Sequence, residues 1–275
     1  MRYKGIVSKL ESILVDPIKY YLPIGDSKIL LNDLLGKQIQ LSFTGTISCT
    51  ACARVIKKTF RGYCYPCSQS LAAADMCILK PELCHFHLGT CREPSWGQQH
   101  CMQTHVVYIA NSSGLKVGIT RAKNIPMRWI DQGAVQAIPL YKVATRYMAG
   151  IAEVVLAQKM ADKTNWRKML QGNIDLLDLT ALRDEIIKNN HAEVCAALQA
   201  KDQDISKIAR ATDSVVTLNY PVLEYPIKIK SYNFDKTPDI SDVIVGIKGQ
   251  YLIFKNAVLN VRKFAGYELV FSGFE

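Results

Sequence analysis

Gln38, Gln40 and Ser42 alternate with Ile39, Leu41 and Phe43, the two-residue period of a strand with one buried face. KGIVSKL, IKYYLPI and a brief ILLNDLLG run precede it and read as further short strands, so residues 1–48 are strand-rich. From 49 to 105 no clear helical period holds, and cysteines and histidines stand where apolar residues would build a buried face. At 106–180 the pattern becomes α/β. HVVYIA and LKVGIT are apolar strand runs joined at Asn111-Ser112-Ser113-Gly114, MRWIDQGA after Pro126 starts a helix that Gly133 closes, and TRYMAGIAEVVLAQKMADK is a longer helix. Residues 181–212 are charged and helical in period, predicting a connecting helical pair. Residues 213–275 return to strands (VTLNYPVLEYPIKIKSYNF, then DVIVGIKGQYLIFKNAVLNVRKFAGYELVFSGF), with Gly246, Gly249 and Gly266 at turns or bulges. Strands at both ends of the chain predict one β-rich, barrel-like body built from the two termini, with the middle segments inserted into it.

Composition narrows the class. At 275 residues, 49% hydrophobic and 21% charged, the chain has material for a real core and is neither disordered nor collagen-like. No run of 18 apolar residues occurs, so no membrane partner is expected. MRYKGIVSKLESILVDP carries charges where an export signal needs an apolar stretch, which predicts a cytoplasmic protein. Lys and Arg number 34 against 24 Asp and Glu, a net +10 that favours an acidic partner, nucleic acid being the commonest. Eight of nine cysteines fall between 49 and 101, and in a reducing compartment such density reads as metal binding rather than disulfides.

Cys49-x2-Cys52 and Cys64-x2-Cys67, eleven residues apart, have the spacing in which two pairs of thiolates close a tetrahedral zinc site from opposite sides. A second, less regular group is Cys77, Cys84, Cys91 and Cys101, with His85, His87, His100 and His105 interleaved. The four cysteines are the first choice of ligands, His87 or His100 a substitute, and an iron–sulfur cluster competes with zinc there. One or two structural zinc ions are thus expected. Between the first pairs lie Arg54, Lys57, Lys58 and Arg61 beside Phe60, Tyr63 and Tyr65, cations and aromatics suited to phosphates and unpaired bases, or simply to a solvated strand. Trp96 and Trp129 read as buried, Asp162–Arg167 as a polar loop or helix boundary, and His191 with Cys195 as no site.

HVVYIANSSGLKVGITRAKNIPMRW resembles the amino-terminal half of a GIY-YIG nuclease domain: a strand with tyrosine, a turn, a strand with glycine, then a helix bearing arginine. The resemblance covers roughly residues 106–160. It implies a small α/β module with divalent-metal phosphodiesterase activity, Val106-Val107-Tyr108 and Lys116-Val117-Gly118 standing for the two triplets, Arg128 for the catalytic arginine and Glu153 for the metal-binding glutamate. Mg or Mn at Glu153 follows from the same resemblance. Val106 replaces a glycine, Lys116 a tyrosine, and Gln132 stands where a histidine or tyrosine is expected. The whole layout also resembles a bacterial family known only as a domain of unknown function.

On chemical grounds, hydrolysis of a phosphodiester needs a cation against developing negative charge, a carboxylate for a divalent metal and a group that activates water. Arg128 supplies the first, with Gln132 four residues later on the same helical face and Arg121 and Lys116 as further phosphate anchors. Glu153 lies on a mostly apolar helix and needs a partner, a metal or exposure; Arg146 is one candidate partner. Tyr108 activates water only if its phenol is acidified. The expected fold is therefore α+β: strands 1–48 and 213–275 as the body, 49–105 a zinc-binding segment, 106–180 the GIY-YIG-like module and 181–212 a helical connector. The leading expectation is a nucleic-acid-binding, metal-dependent phosphodiesterase. The alternatives are a non-hydrolytic RNA- or DNA-binding or RNA-modifying factor that uses the module as a phosphate platform, and an iron–sulfur protein.

Overall fold

Three antiparallel sheets organise the chain. The computed structural model describes residues 2–160 and 165–273, so 162–164 of the polar loop and the end of the helix ending ADK lie outside the described residues. Strand Gln38–Ser48 is central to the largest sheet, pairing with Tyr267–Gly273 on one side and Asp239–Lys248 on the other. Its burial alternates at Ile39 and Leu41 as the two-residue period requires. Arg2–Ile6 extends the sheet beyond Tyr267–Gly273, while Tyr251–Phe254 and Val258–Asn260 extend it the other way. Both ends of the chain thus share one sheet. It does not close: the path runs from Arg2–Ile6 to Val258–Asn260, which leaves two edges, so the expected barrel is an open, seven-stranded sheet. Gly246 sits at a register shift in Asp239–Lys248, and Gly249 and Gly266 adopt positive φ, as their sequence positions predicted. A small sheet of Glu11–Ile13, Lys19–Ile24 and Ser27–Leu30 accounts for the remaining amino-terminal strands.

The five-stranded sheet is built on His105–Asn111, every residue of which is buried. Val106, Tyr108 and Ala110 face the core shared with the terminal body, and Val107 and Ile109 face the helices. It pairs with Leu115–Arg121 and with Gln136–Val143. The latter strand is absent from the sequence reading because Pro139 interrupts its apolar run. The sheet accommodates that proline at a bulge, where the register slips between Val107 and Tyr108.

Helix Arg146–Lys159 covers the sheet. Thr145 caps it by accepting from Met148 N at 3.2 Å, and Met148, Ile151, Ala152, Val155 and Leu156 recur at helical spacing as its buried face. Residues 179–199 form one 21-residue helix where a helical pair was expected. The Asn189-Asn190 break in the pattern is tolerated because Asn190 Nδ2 donates back to Ile186 O at 2.8 Å. The chain then enters strand Ile208–Arg210, paired with Gln136–Val143. Residues 218–238 make only isolated bridges where strands were expected, since Pro221 and Pro226 interrupt the ladder. Among the described residues no helix is long and apolar enough to cross a membrane.

Candidate functional site

The first cysteine centre grows out of the end of strand Gln38–Ser48. Cys49 N donates to Arg54 O and Ala53 N to Cys49 O, both at 2.9 Å, closing a knuckle with Ala53 at φ 58°. The second pair stands at a helix start: Cys64 occupies the N-cap position of helix Tyr65–Ser70, whose first turn carries Pro66 and Cys67. The sulfurs of Cys49, Cys52, Cys64 and Cys67 all lie within 4.8 Å of one another and can hold a zinc ion. Burial pushes Cys49 up, but the N–H groups of Cys52, Cys64 and Ala51 outweigh it and hold the thiol at about 6, on the way to the thiolate a metal needs. Arg54, Lys57, Lys58 and Arg61 are exposed around this centre. Lys58 Nζ lies 5.6 Å from the Phe60 ring centroid, and Phe60 meets Tyr65 edge-on at 5.7 Å.

The residues expected to act on a phosphodiester meet elsewhere. A cleft of about 360 Å³ is lined by Arg121, Arg128, Arg146 and Arg262 together with Gln132 and Glu153. Strand Leu115–Arg121 forms one wall, and residues 78–81 of the cysteine-rich segment form another. Lys116 lines an adjoining groove that shares Glu153. Arg54, Lys57, Lys58 and Arg61 do not line the cleft.

Tyr108 does not line the cleft; it is buried behind it and reaches it through Gln132. It is opposite Gly118 in register, and a Cβ at Gly118 would come within 2.7 Å of the phenol oxygen, so glycine there lets the ring lie across the neighbouring strand. The hydroxyl donates to Gln132 Oε1 at 2.8 Å. The ring is fully buried and packs edge-on against buried Trp129 at 5.8 Å. Burial raises the phenol's pKa against the pull of Arg128, which fits a group that orients Gln132 and Arg128 better than one that takes a proton from water.

Glu153 carries the opposite electrostatic signature to an ordinary surface carboxylate. Burial raises it to about 7, with Arg128 and Arg146 pulling it down and Glu82 pushing it up. The cations are crowded as well: Arg121 is lowered by burial and by Arg146. Arg146 Nη2 donates to Ile78 O at 2.8 Å, but its buried Nε has no partner. With its amide turned to offer oxygen, Asn124 accepts from Arg121 Nη2 and Nε at 3.2 Å. Four arginines lining one cleft with a single raised carboxyl, on which Arg128 and Arg146 act, form a site that an anion would relieve.

Residues 36–269 match the family described as Protein of unknown function (DUF2797). The chain belongs to that family. No curated protein and no solved structure matches it. Within this DUF2797 chain, sequence reasoning missed Arg262 and Asn124 at the cleft. Arg262 comes from the turn Val261–Phe264 of the terminal body, far along the chain from Arg128, and no local pattern marks it. Asn124 lies in the short turn Ala122–Asn124 after the second strand, where the Arg121-x2-Asn124 spacing was the available signal.

Trp129 is buried as expected, with its Nε1 unpaired. Trp96 is half-buried and stacks on His100 at 4.1 Å. His191 Nε2 and Cys195 Sγ are 3.7 Å apart on their helix, and His191 stacks on Tyr141.

Proposed function

We propose that the arginine cleft binds the phosphodiester backbone of a nucleic acid and that the protein cleaves it in a metal-dependent reaction of the GIY-YIG type. The observation that carries this reading is that Arg121, Arg128, Arg146 and Arg262 line one cleft together with Glu153. Arginine suits phosphate because its planar fork matches two phosphate oxygens at once. Arg128, tied to Tyr108, would face the charge that develops on the reacting phosphate. Gln132, held by the Tyr108 hydroxyl, would orient water. The donor set fits a divalent cation in one way: Mg²⁺ is commonly held by one or two carboxylates plus the substrate's own phosphate oxygens, and Glu153 supplies the carboxylate. Such an ion would add positive charge against the phosphate when bound. The exposed cations and aromatics of the first cysteine centre would engage the strand outside the cleft.

A second reading, binding without hydrolysis, is favoured by the complete burial of Tyr108, which leaves no phenol in contact with water. Labelled single- and double-stranded DNA and RNA incubated with the protein and Mg²⁺ or Mn²⁺ separate the two. Cleavage that Glu153→Ala abolishes while affinity is kept is the expected outcome. Tight binding with every substrate left intact under both metals would establish the second reading in its place.

A further inference from the structure

The second cysteine group raises a question the cleft does not answer. Cys77, Cys84 and Cys101 are buried, Cys91 is half-buried, and all nine cysteines of the chain are unpaired. The four sulfur side chains line one small cavity of about 10 Å³, the space of a single water or ion. Cys84 and Cys101 are within hydrogen-bonding reach of each other, and the Phe86 N–H is directed at the Cys84 sulfur. Gly97 lets helix Pro94–His100 close over this cavity, because a Cβ there would come within 2.7 Å of the Phe86 ring and 3.1 Å of Cys91 Sγ.

We infer that Cys77, Cys84, Cys91 and Cys101 hold a second zinc ion, and that this ion fixes the wall of the arginine cleft. Four cysteines lining one small cavity supply the donor set of tetrahedral zinc, although their sulfurs do not all lie within 4.8 Å of one another as those of the first centre do, so the ion would draw them together. The groups outside the sulfurs are arranged as supports. Asp75 accepts from Cys77 N at 3.0 Å and pairs with Arg92 Nε at 2.7 Å, and His85 Nδ1 meets Thr90 Oγ1 at 2.7 Å. Asp75, Cys77 and His85 also lie within 4.8 Å of one another, a rival ligand set. The Arg92 pairing commits the Asp75 carboxylate elsewhere, and the remaining three thiolates would be left without a role.

The link to the cleft is covalent and short. Cys77 and Cys84 bracket Ile78, Leu79 and Pro81, which line the cleft. Ile78 O receives Arg146 Nη2, and Cys101 O receives Arg146 N at 2.8 Å. The helix behind Arg146 touches the same segment at Gly150, where a Cβ would meet the Pro81 carbonyl carbon at 2.5 Å. His87 stacks on Tyr147 at 4.8 Å. Arg146 is therefore hung from the cysteine centre at both its backbone and its side chain.

Zinc counted by native mass spectrometry tests the inference without any nucleic acid. Wild-type protein purified with its thiols reduced carries two zinc ions; Cys52→Ser and Cys91→Ser each carry one, the double variant none, and His85→Ala keeps two. A single zinc in the wild type overturns the second site. So do visible iron–sulfur absorbance and a thiol titration that shows a Cys84–Cys101 disulfide. Loss of metal from His85→Ala with retention in Cys91→Ser would install the rival ligands. The wild-type count decides even if a cysteine variant fails to fold. The coupling is read by hydrogen exchange: amides of residues 147–152 exchange at least tenfold faster in Cys91→Ser than in Cys52→Ser, and equal rates overturn it. The cleavage and binding assays fail or succeed separately from these readouts.

Discussion

The two cysteine centres lie in one segment of about 50 residues and differ in almost everything else. The first is a knuckle at the end of a long strand, with Cys49 and Cys64 buried and Cys52 exposed, and with its cations open to solvent. The second is buried, irregular in spacing and continuous with the wall of the arginine cleft. The contrast separates two uses of a thiolate cluster. A metal in the first would staple a loop that presents side chains outward; the inferred metal in the second would substitute for a hydrophobic core behind a site. Residues 72–101 fold as short turns and one seven-residue helix with few buried apolar side chains, so the sulfurs are what is left to organise them.

The largest expected effect follows from that difference. Cys101→Ser should lower stability by about 4 kcal/mol, roughly 10 °C in Tm, because a buried ligand is lost where no apolar core compensates. Cys52→Ser, at an exposed ligand, should cost less than half as much by calorimetry. Similar losses would erase the distinction between the centres. Next comes Gly150→Ala, which forces the helix away from Pro81 and Glu82; about 1–3 kcal/mol is expected, with weaker oligonucleotide binding as the cleft opens.

How much of this was legible depends on whether a local signal existed. The alternation at residues 38–43 marked its strand, and the paired CxxC spacing marked the first centre, because both patterns are short in sequence. Pro139 hid a central strand, since a proline inside a ladder is tolerable only at a bulge that pairing reveals. Closure into a barrel was not readable from strand content; it depends on whether the edge strands meet, and here they do not. At the cleft, Arg128 and Gln132 announced themselves four residues apart on one turn. Arg262 did not, because it arrives from the other end of the chain.

Smaller effects sharpen the electrostatic side of the comparison. Burial holds Glu153 near 7 in the folded chain, against about 4.5 when unfolded, so the folded state retains a proton across that interval. Stability from this group is therefore full below about 4.5 and falls as pH rises to 7. Glu153→Gln should raise stability by roughly 1–3 kcal/mol at pH 8 and leave it unchanged at pH 4, measured by denaturant titration without divalent metal. A gain at pH 4 equal to that at pH 8 would contradict the raised carboxyl. Smallest of all, alanine at Arg54, Lys57, Lys58 or Arg61 should each weaken oligonucleotide binding by under about threefold, since solvated cations contribute little singly. A tenfold loss from any one of them would move the main contact from the cleft to the knuckle.

The most direct test of the cleft as the phosphate site is the salt dependence of oligonucleotide binding, measured by fluorescence anisotropy for the wild type, Arg128→Ala and Arg262→Ala. Each arginine that neutralises a phosphate contributes about 0.9 to the slope of log affinity against log salt for duplex DNA and about 0.7 for single strands. Both variants should therefore lose affinity and flatten the slope by close to that amount, while Lys142→Ala, a surface residue paired with Asp213 at 3.0 Å, should match the wild type. Slopes identical across all four proteins would show that the arginines lining the cleft do not touch the phosphate backbone.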